Sequence, residues 1–230
     1  MDRLTYPRKF LLILLLFALP LGLTLYLLVG EINHSIRFAE KEIAGAHYLR
    51  PLRALQEQVA RSRLLAAAYR AGQPNLRPEL VRAQAGIQSA LGEVDAVDAR
   101  SGAELQSTQK LGVLKENAAF LSTRLLAVPP VDTDTLHAKL QDDIGALMAL
   151  VGDQSNLILD PDLDSYYVMS LVVLRFPELL QAVHDTVSFL NAAPSRRGSQ
   201  WSSELLTLVG RLDAVMLGIE SDYNQAFIAG

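Results

Sequence analysis

Residues 10 to 30 read FLLILLLFALPLGLTLYLLVG, a run of 21 without a charged side chain. No other feature constrains the chain as strongly. At 1.5 Å per residue a helix of this length spans roughly 32 Å, which matches the roughly 30 Å hydrocarbon core of a bilayer. The run is therefore read as one membrane-spanning helix, with Pro20 near its middle where such helices tolerate proline. A cleaved signal peptide also has a basic head, but its apolar core is shorter and ends at a small-x-small site. Here the nearest such triplet, Ala44-Gly45-Ala46, lies beyond the charged Glu40-Lys41-Glu42.

The same run accounts for the hydrophobic surplus of the chain, 50% of 230 residues. Seventeen of its residues are hydrophobic, and without them and the head the 200 residues from Glu31 hold about 95, ordinary for a folded domain. Arg3, Arg8 and Lys9 against Asp2 give the head +2, so a net charge of −4 leaves −6 beyond the run. The positive-inside rule places the basic head in the cytoplasm and exports the chain beyond Gly30. An acidic exported part offers no footprint for nucleic acid. With no cysteine, disulfides, thiolate metal sites and cysteine nucleophiles are excluded together.

From Glu31 onward period-2 alternation is scarce and helix formers dominate, so the fold class is all-α, an N-terminal transmembrane helix followed by an elongated antiparallel helical bundle. The first helix is expected from about Glu31 to Ala71, with stripes Ile32, Ile36, Ala39, Ile43 and Leu52, Leu55, Val59, and a kink or phase shift near Tyr48 caused by Pro51. Gly72-Gln73-Pro74-Asn75 ends it. A second helix runs from Pro78 to about Ala127 as one long element with a weak point at Ser101-Gly102; two shorter helices are the alternative. Pro129-Pro130 stops it.

A third helix opens after the cap Asp132-Thr133-Asp134 and carries Leu136, Leu140, Ile144, Leu147 and Val151. A fourth starts with Asp160 as N-cap and Pro161 at the first helical position, and runs to about Asn191. It is apolar on more than one face, so it is expected to be central. The last helix begins near Trp201, and its pattern is still running at Gly230.

Candidate chemistry is sparse. His34, His47, His137 and His184 form no ligand pair of the HExxH kind, so no metal is expected. Asp160-x-Asp162-x-Asp164 has the spacing of a calcium loop, but Ser165 stands where glycine is required and Leu171 where glutamate is, so helix capping is preferred. No nucleophile elbow, Walker loop or dinucleotide fingerprint is present, and neither a catalytic residue nor a cofactor is expected in these residues. Arg175 lies inside the apolar run Val172-Val173-Leu174-Arg175-Phe176, with Tyr166, Tyr167 and Met169 one to two turns before it. An arginine in apolar surroundings needs an anion, and a carboxylate fits its planar fork. A ligand's carboxylate is one partner; an internal Asp or Glu, or carbonyls freed by Pro177, is the other.

The stretch Gly152-Asp153-Gln154-Ser155-Asn156-Leu157-Ile158-Leu159-Asp160-Pro161-Asp162-Leu163-Asp164-Ser165-Tyr166-Tyr167-Val168-Met169 resembles one found in periplasmic helical sensor regions of bacterial methyl-accepting chemotaxis proteins and related sensor kinases. The segment from Glu42 to Leu52, with Tyr48-Leu49-Arg50-Pro51-Leu52, is similar to the start of that region. Together they cover most of the chain from Phe10 to about Leu190. The family pattern often continues Leu-Met-Asp where this chain has Val168-Met169-Ser170, so no role is carried over to Ser170.

The resemblance implies the ligand-sensing part of a transmembrane receptor in a bacterial inner membrane: residues 1–9 cytoplasmic, 10–30 transmembrane, 31–230 a periplasmic sensor. It implies a homodimer that takes a small molecule such as an organic acid or amino acid, or a periplasmic binding protein. Arg175, Tyr166, Tyr167 and Met169 are the candidate ligand contacts. A second membrane helix, a linker and an output module are expected beyond Gly230. A histidine kinase, a diguanylate cyclase, or a membrane-anchored structural adaptor without a ligand are the alternatives.

Overall fold

A computed structural model of the chain describes residues 6–125, 130–158, 163–192 and 199–229, and every regular element among them is helical. In order they are α1 (Tyr6–Arg70), a 3₁₀ turn (Pro74–Leu76), α2 (Arg77–Ser101), α3 (Thr108–Arg124), α4 (Pro130–Gln154), α5 (Leu163–Ser170), a π-helical segment (Leu171–Arg175), α6 (Phe176–Ala192) and α7 (Ser199–Ala229). The chain divides into two compact units, residues 1–41 and 42–230.

The first unit is the helical segment that contains the apolar run. Phe10, Leu12, Leu16, Phe17, Leu19, Leu23 and Leu27 are all more than half exposed. Within it the Thr24 hydroxyl donates to the Pro20 carbonyl one turn back at 2.8 Å. Among the described residues two helices are long and apolar enough to cross a membrane, α1 and Ser165–Leu190. The second of these carries Arg175, Glu178, His184 and Asp185, whose partners are supplied by the protein.

Of the two stripes expected of α1, Leu52, Leu55 and Val59 are buried, in one series with Tyr48 and Ala66, whereas Ile32, Ile36 and Ile43 of the other are half or more exposed. α1 runs unbroken through Pro51 to Arg70, so the phase shift expected near Tyr48 does not interrupt it. The buried series packs in one core with Leu80, Ile87, Leu91 and Val94 of α2, with Leu111, Leu114, Ala118 and Leu121 of α3, and with Leu140, Ile144, Leu147, Met148 and Val151 of α4. Each buried Leu or Ile contributes about 1.5–3 kcal/mol of transfer free energy, which makes this core the main support of the unit. Gly72, at φ 101°, ends α1 in the left-handed conformation that only glycine adopts cheaply.

The sequence expectations need four corrections. The long second helix is two helices, because the chain turns at residues 102–107: Gln106 takes φ 52°, and Leu105 and Ser107 are turned fully inward. α4 begins at Pro130, ahead of the expected cap, with the proline at a first-turn position where it loses no helical bond. Asp134 is therefore not a cap; its carboxylate faces Arg63 and His184. The fourth helix is not central, since Val168, Leu174 and Leu190 are about half exposed and the helix is interrupted by the π segment. The caps expected of Asp160, Pro161 and Asp162 lie outside the described residues.

α5, the π segment and α6 pack on α7. Arg175 pairs with Asp222, Arg211 with Asp185, and Phe189 stacks on Trp201 with ring centroids 5.8 Å apart.

Candidate functional site

Three polar clusters interrupt the apolar packing of the second unit. The largest begins at Arg63, which occupies a stripe position of α1 between Val59 and Ala66. Its side chain is only 5% exposed, and its fork meets both oxygens of Asp134, Nε to Oδ1 at 2.7 Å and Nη2 to Oδ2 at 2.8 Å. Nη1 donates to the amide oxygens of Gln141 at 3.0 Å and Gln181 at 3.3 Å. His184 of α6 also reaches Asp134, with Nε2 3.1 Å from Oδ1. Hydrogen bonds from Arg63 and then from His184 outweigh burial and hold the Asp134 carboxyl well below the usual range.

Beside it His137 is fully buried. Its Nδ1 stands 2.8 Å from the Thr133 carbonyl, which can only accept, so Nδ1 carries the proton and Nε2 accepts from the Ser62 hydroxyl at 3.0 Å. Burial pushes this imidazole down to about 4, and the nearby Arg63 charge acts in the same direction.

The second cluster joins α1, α2 and the turn at residues 102–107. Tyr48 donates to Asp98 Oδ1 at 2.7 Å, and Ser107 donates to the same oxygen at 2.5 Å. Burial, with the Asp98 charge, pushes the Tyr48 hydroxyl above its ordinary value. A Cβ at Gly102 would collide with Asp98, so the turn depends on glycine there.

The third cluster contains the ligand contact expected at Arg175. Its Nε donates to Asp222 Oδ2 at 2.9 Å, the Ser170 hydroxyl donates to the same oxygen at 2.8 Å, and Glu178 lies 3.8 Å from Nη1. The guanidinium lies on Gly218 of α7, where a Cβ would stand only 2.9 Å from Cζ. Burial raises Asp222, yet the hydrogen bonds from Arg175 and Ser170 outweigh it and leave the carboxyl below its ordinary value. The open alternatives for Arg175 are thus resolved in part: it has an internal carboxylate, and a third of its side chain is exposed. Tyr166 and Tyr167 meet each other edge to face with centroids 5.4 Å apart; Tyr166 is exposed and Tyr167 half-buried. Met169 is half-buried and packs on the main core, so the structure does not place all four residues around one opening.

These arrangements limit the chemistry. Ser188 Oγ is 2.9 Å from His184, but on the same nitrogen, Nε2, that faces Asp134. A nucleophile relay needs the serine and the acid on opposite ring nitrogens. Ser62 and His137 have a serviceable hydrogen bond, yet neither has any exposed surface through which a substrate could reach it. No group of three or more His, Asp or Glu side chains among the described residues is placed to hold a metal ion.

The sequence presents Asp134 only as a helix cap, and it does not single out Arg63 or Asp222. A signal existed for Arg63 and His137: each is a polar residue at a position where the helical period calls for an apolar one. The chain matches no protein-family model, no curated protein and no solved structure.

Proposed function

We propose that the chain is the sensing part of a single-pass membrane receptor, with residues 10–30 as the anchor and residues 31–230 as an extracytoplasmic helical sensor. The observation that carries this reading is the contrast between the units. One exposes an uninterrupted set of large apolar side chains, and the other buries a continuous apolar core drawn mainly from α1, α2, α3 and α4. Such a contrast fits a chain whose first part is solvated by lipid.

The sensor is an antiparallel bundle in this reading. Support comes from contacts that rise along α1 and fall along its neighbours: Gly45 with Ser155, Ser62 with His137 and Arg63 with Asp134, and likewise Tyr48 with Asp98 and Gln58 with Gly86. Exposed Leu206, Val209, Met216, Leu217 and Phe227 on α7 support a second copy as a partner. A methyl-accepting chemotaxis receptor is the first form proposed, and a histidine kinase or diguanylate cyclase the second. The ligand is a small carboxylate, an organic acid or amino acid, or a binding protein loaded with one, recognised around Arg175 with Tyr166 and Tyr167.

The test is thermal unfolding of the full chain in detergent against a panel of organic acids and amino acids. A ligand that binds the folded state raises its stability, by about 2.7 kcal/mol at one hundred times its Kd. Stabilisation by a carboxylate, lost in Arg175→Ala, is the expected result. One observation favours a second reading, an anchored adaptor without a ligand: the Arg175 fork already holds Asp222. No stabilisation by any member of the panel, and by no loaded binding protein, selects that reading.

A further inference from the structure

Five residues, Leu171–Arg175, form a π-helical turn between α5 and α6, closed by a hydrogen bond from the Phe176 amide to the Leu171 carbonyl. Well under one residue in a hundred adopts this conformation, and its single-turn form is a bulge inside an α-helix that is common at functional sites. Two features of the surroundings explain its presence. Pro177 has no amide hydrogen, and its ring clashes with the carbonyl four residues back in an α-helix, which weakens the α register here. Asp222 supplies the other.

One oxygen of Asp222 accepts from both residues that bound the π turn, from Ser170 at 2.8 Å and from Arg175 at 2.9 Å. These two residues are five apart. In an α-helix five residues advance about 500°, so Ser170 and Arg175 would point about 140° away from each other. One carboxylate oxygen does not reach both. The wider i→i+5 turn brings them to one face, and Gly218 leaves room for the guanidinium to lie against α7.

We propose that Asp222 is the pin of a two-register joint between α5 and α6. With the pin engaged the joint is π-helical; with it released the turn closes to the α register. Closure by one residue turns α6 by about 100° relative to α5, because that is the angle each residue occupies. The displacement is discrete, as expected of packed helices with two arrangements. The joint belongs to the fold and stands apart from the sensing reading, since it needs no ligand.

The chain has no cysteine, so spin labels can be placed without a background. Labels at Val168→Cys in α5 and Val183→Cys in α6, both on exposed positions, report the joint in the full chain in detergent. The parent is expected to give one distance and slow amide exchange at Leu171–Arg175. Asp222→Ala is expected to add a second distance and to change the exchange of those amides. A folded Asp222→Ala protein with the parental distance alone overturns the proposal. If Asp222→Ala does not fold, Ser170→Ala removes only one of the two donors, and the same two outcomes apply. Deletion of Val172 provides an independent arm. It makes Ser170 and Arg175 neighbours at i,i+4 in an ordinary α-helix, so the label distance should no longer respond to Asp222→Ala. A response equal to that in the undeleted chain also overturns the proposal.

Discussion

Arg63 and Asp134, 71 residues apart in the chain, meet as a two-pronged ion pair with contacts of 2.7 and 2.8 Å. The two ends of the pair are unequal, with Arg63 5% exposed and Asp134 48%. Removing the acid therefore strands a buried cation, whereas removing the cation leaves a carboxylate that water reaches. Asp134→Ala is expected to cost about 3–5 kcal/mol, the range for breaking a buried pair from one side. Arg63→Met, which refills the volume with an apolar chain, is expected to cost about 1–2 kcal/mol, since an exposed partner adds little. Thermal unfolding of the full chain in detergent checks the order: a drop of about 6–20 °C for the first and a smaller one for the second. The reverse order contradicts this account of the pair.

His137 makes stability depend on pH. Its folded value of about 4 lies below the 6.5 of an exposed imidazole, so between these values the unfolded chain binds more protons. The contribution is full above pH 6.5 and is lost as pH falls toward 4. It amounts to about 3 kcal/mol in all, of which about 2 kcal/mol is gone by pH 5. Denaturant midpoints at pH 7.5 and pH 5 should show that loss. His137→Gln, which can keep partners in Ser62 and Thr133 without titrating, should show a markedly smaller difference; an equal difference assigns the pH dependence to other groups.

The core was legible in the sequence and the polar clusters were not, for a physical reason. Helical periodicity alone marks Leu52, Leu55, Val59, Leu140, Ile144 and Leu147 for burial, and all six lie in the core, but it marks Ile32, Ile36 and Ile43 equally, and these are exposed. The partners of Arg63 and Arg175 lie 71 and 47 residues away, and only the packing of helices brings them into range. Gly102 shows the same limit at shorter range. Ser101-Gly102 reads as a weak point in a long helix, but it becomes a true turn because Asp98 gathers Tyr48 and Ser107 around it. The π turn was half legible, since Pro177 marks the weakness and Asp222 supplies the rest from α7.

Glycines in different helices of the second unit should respond in opposite ways to alanine. Gly45 touches the segment after α4, and a Cβ there would overlap the Ser155 side chain and crowd Leu157 at 2.8 Å. Because the obstacle includes the Ser155 Cβ, the backbones must separate, and Gly45→Ala is expected to cost about 1–3 kcal/mol. Gly112 in α3 and Gly145 in α4 have nothing within 4 Å of a built Cβ. Gly112→Ala and Gly145→Ala are expected to stabilise by about 0.5–1 kcal/mol, through the unfolded chain and helix propensity. Denaturant unfolding of the three variants decides it, and a loss of stability at Gly112 or Gly145 contradicts the open space around them.

The apolar run should tolerate one charge and fail with two. It holds eleven Leu, two Phe, one Ile and one Val. At about −0.5 kcal/mol each these residues favour insertion by about 7 kcal/mol, before Pro20 and the two glycines reduce the total. One arginine near the bilayer centre costs about 3 kcal/mol, so Leu19→Arg alone leaves insertion favourable. Two arginines, at Leu16 and Leu23, also remove two leucines and bring the balance to about zero. The fraction of chain that resists alkaline extraction from membranes measures this. It should stay near the parental level for Leu19→Arg and for a Leu16→Ala, Leu23→Ala control, and fall steeply for Leu16→Arg with Leu23→Arg. A doubly charged variant that resists extraction as well as the parent would mean that residues 10–30 are held by something other than lipid.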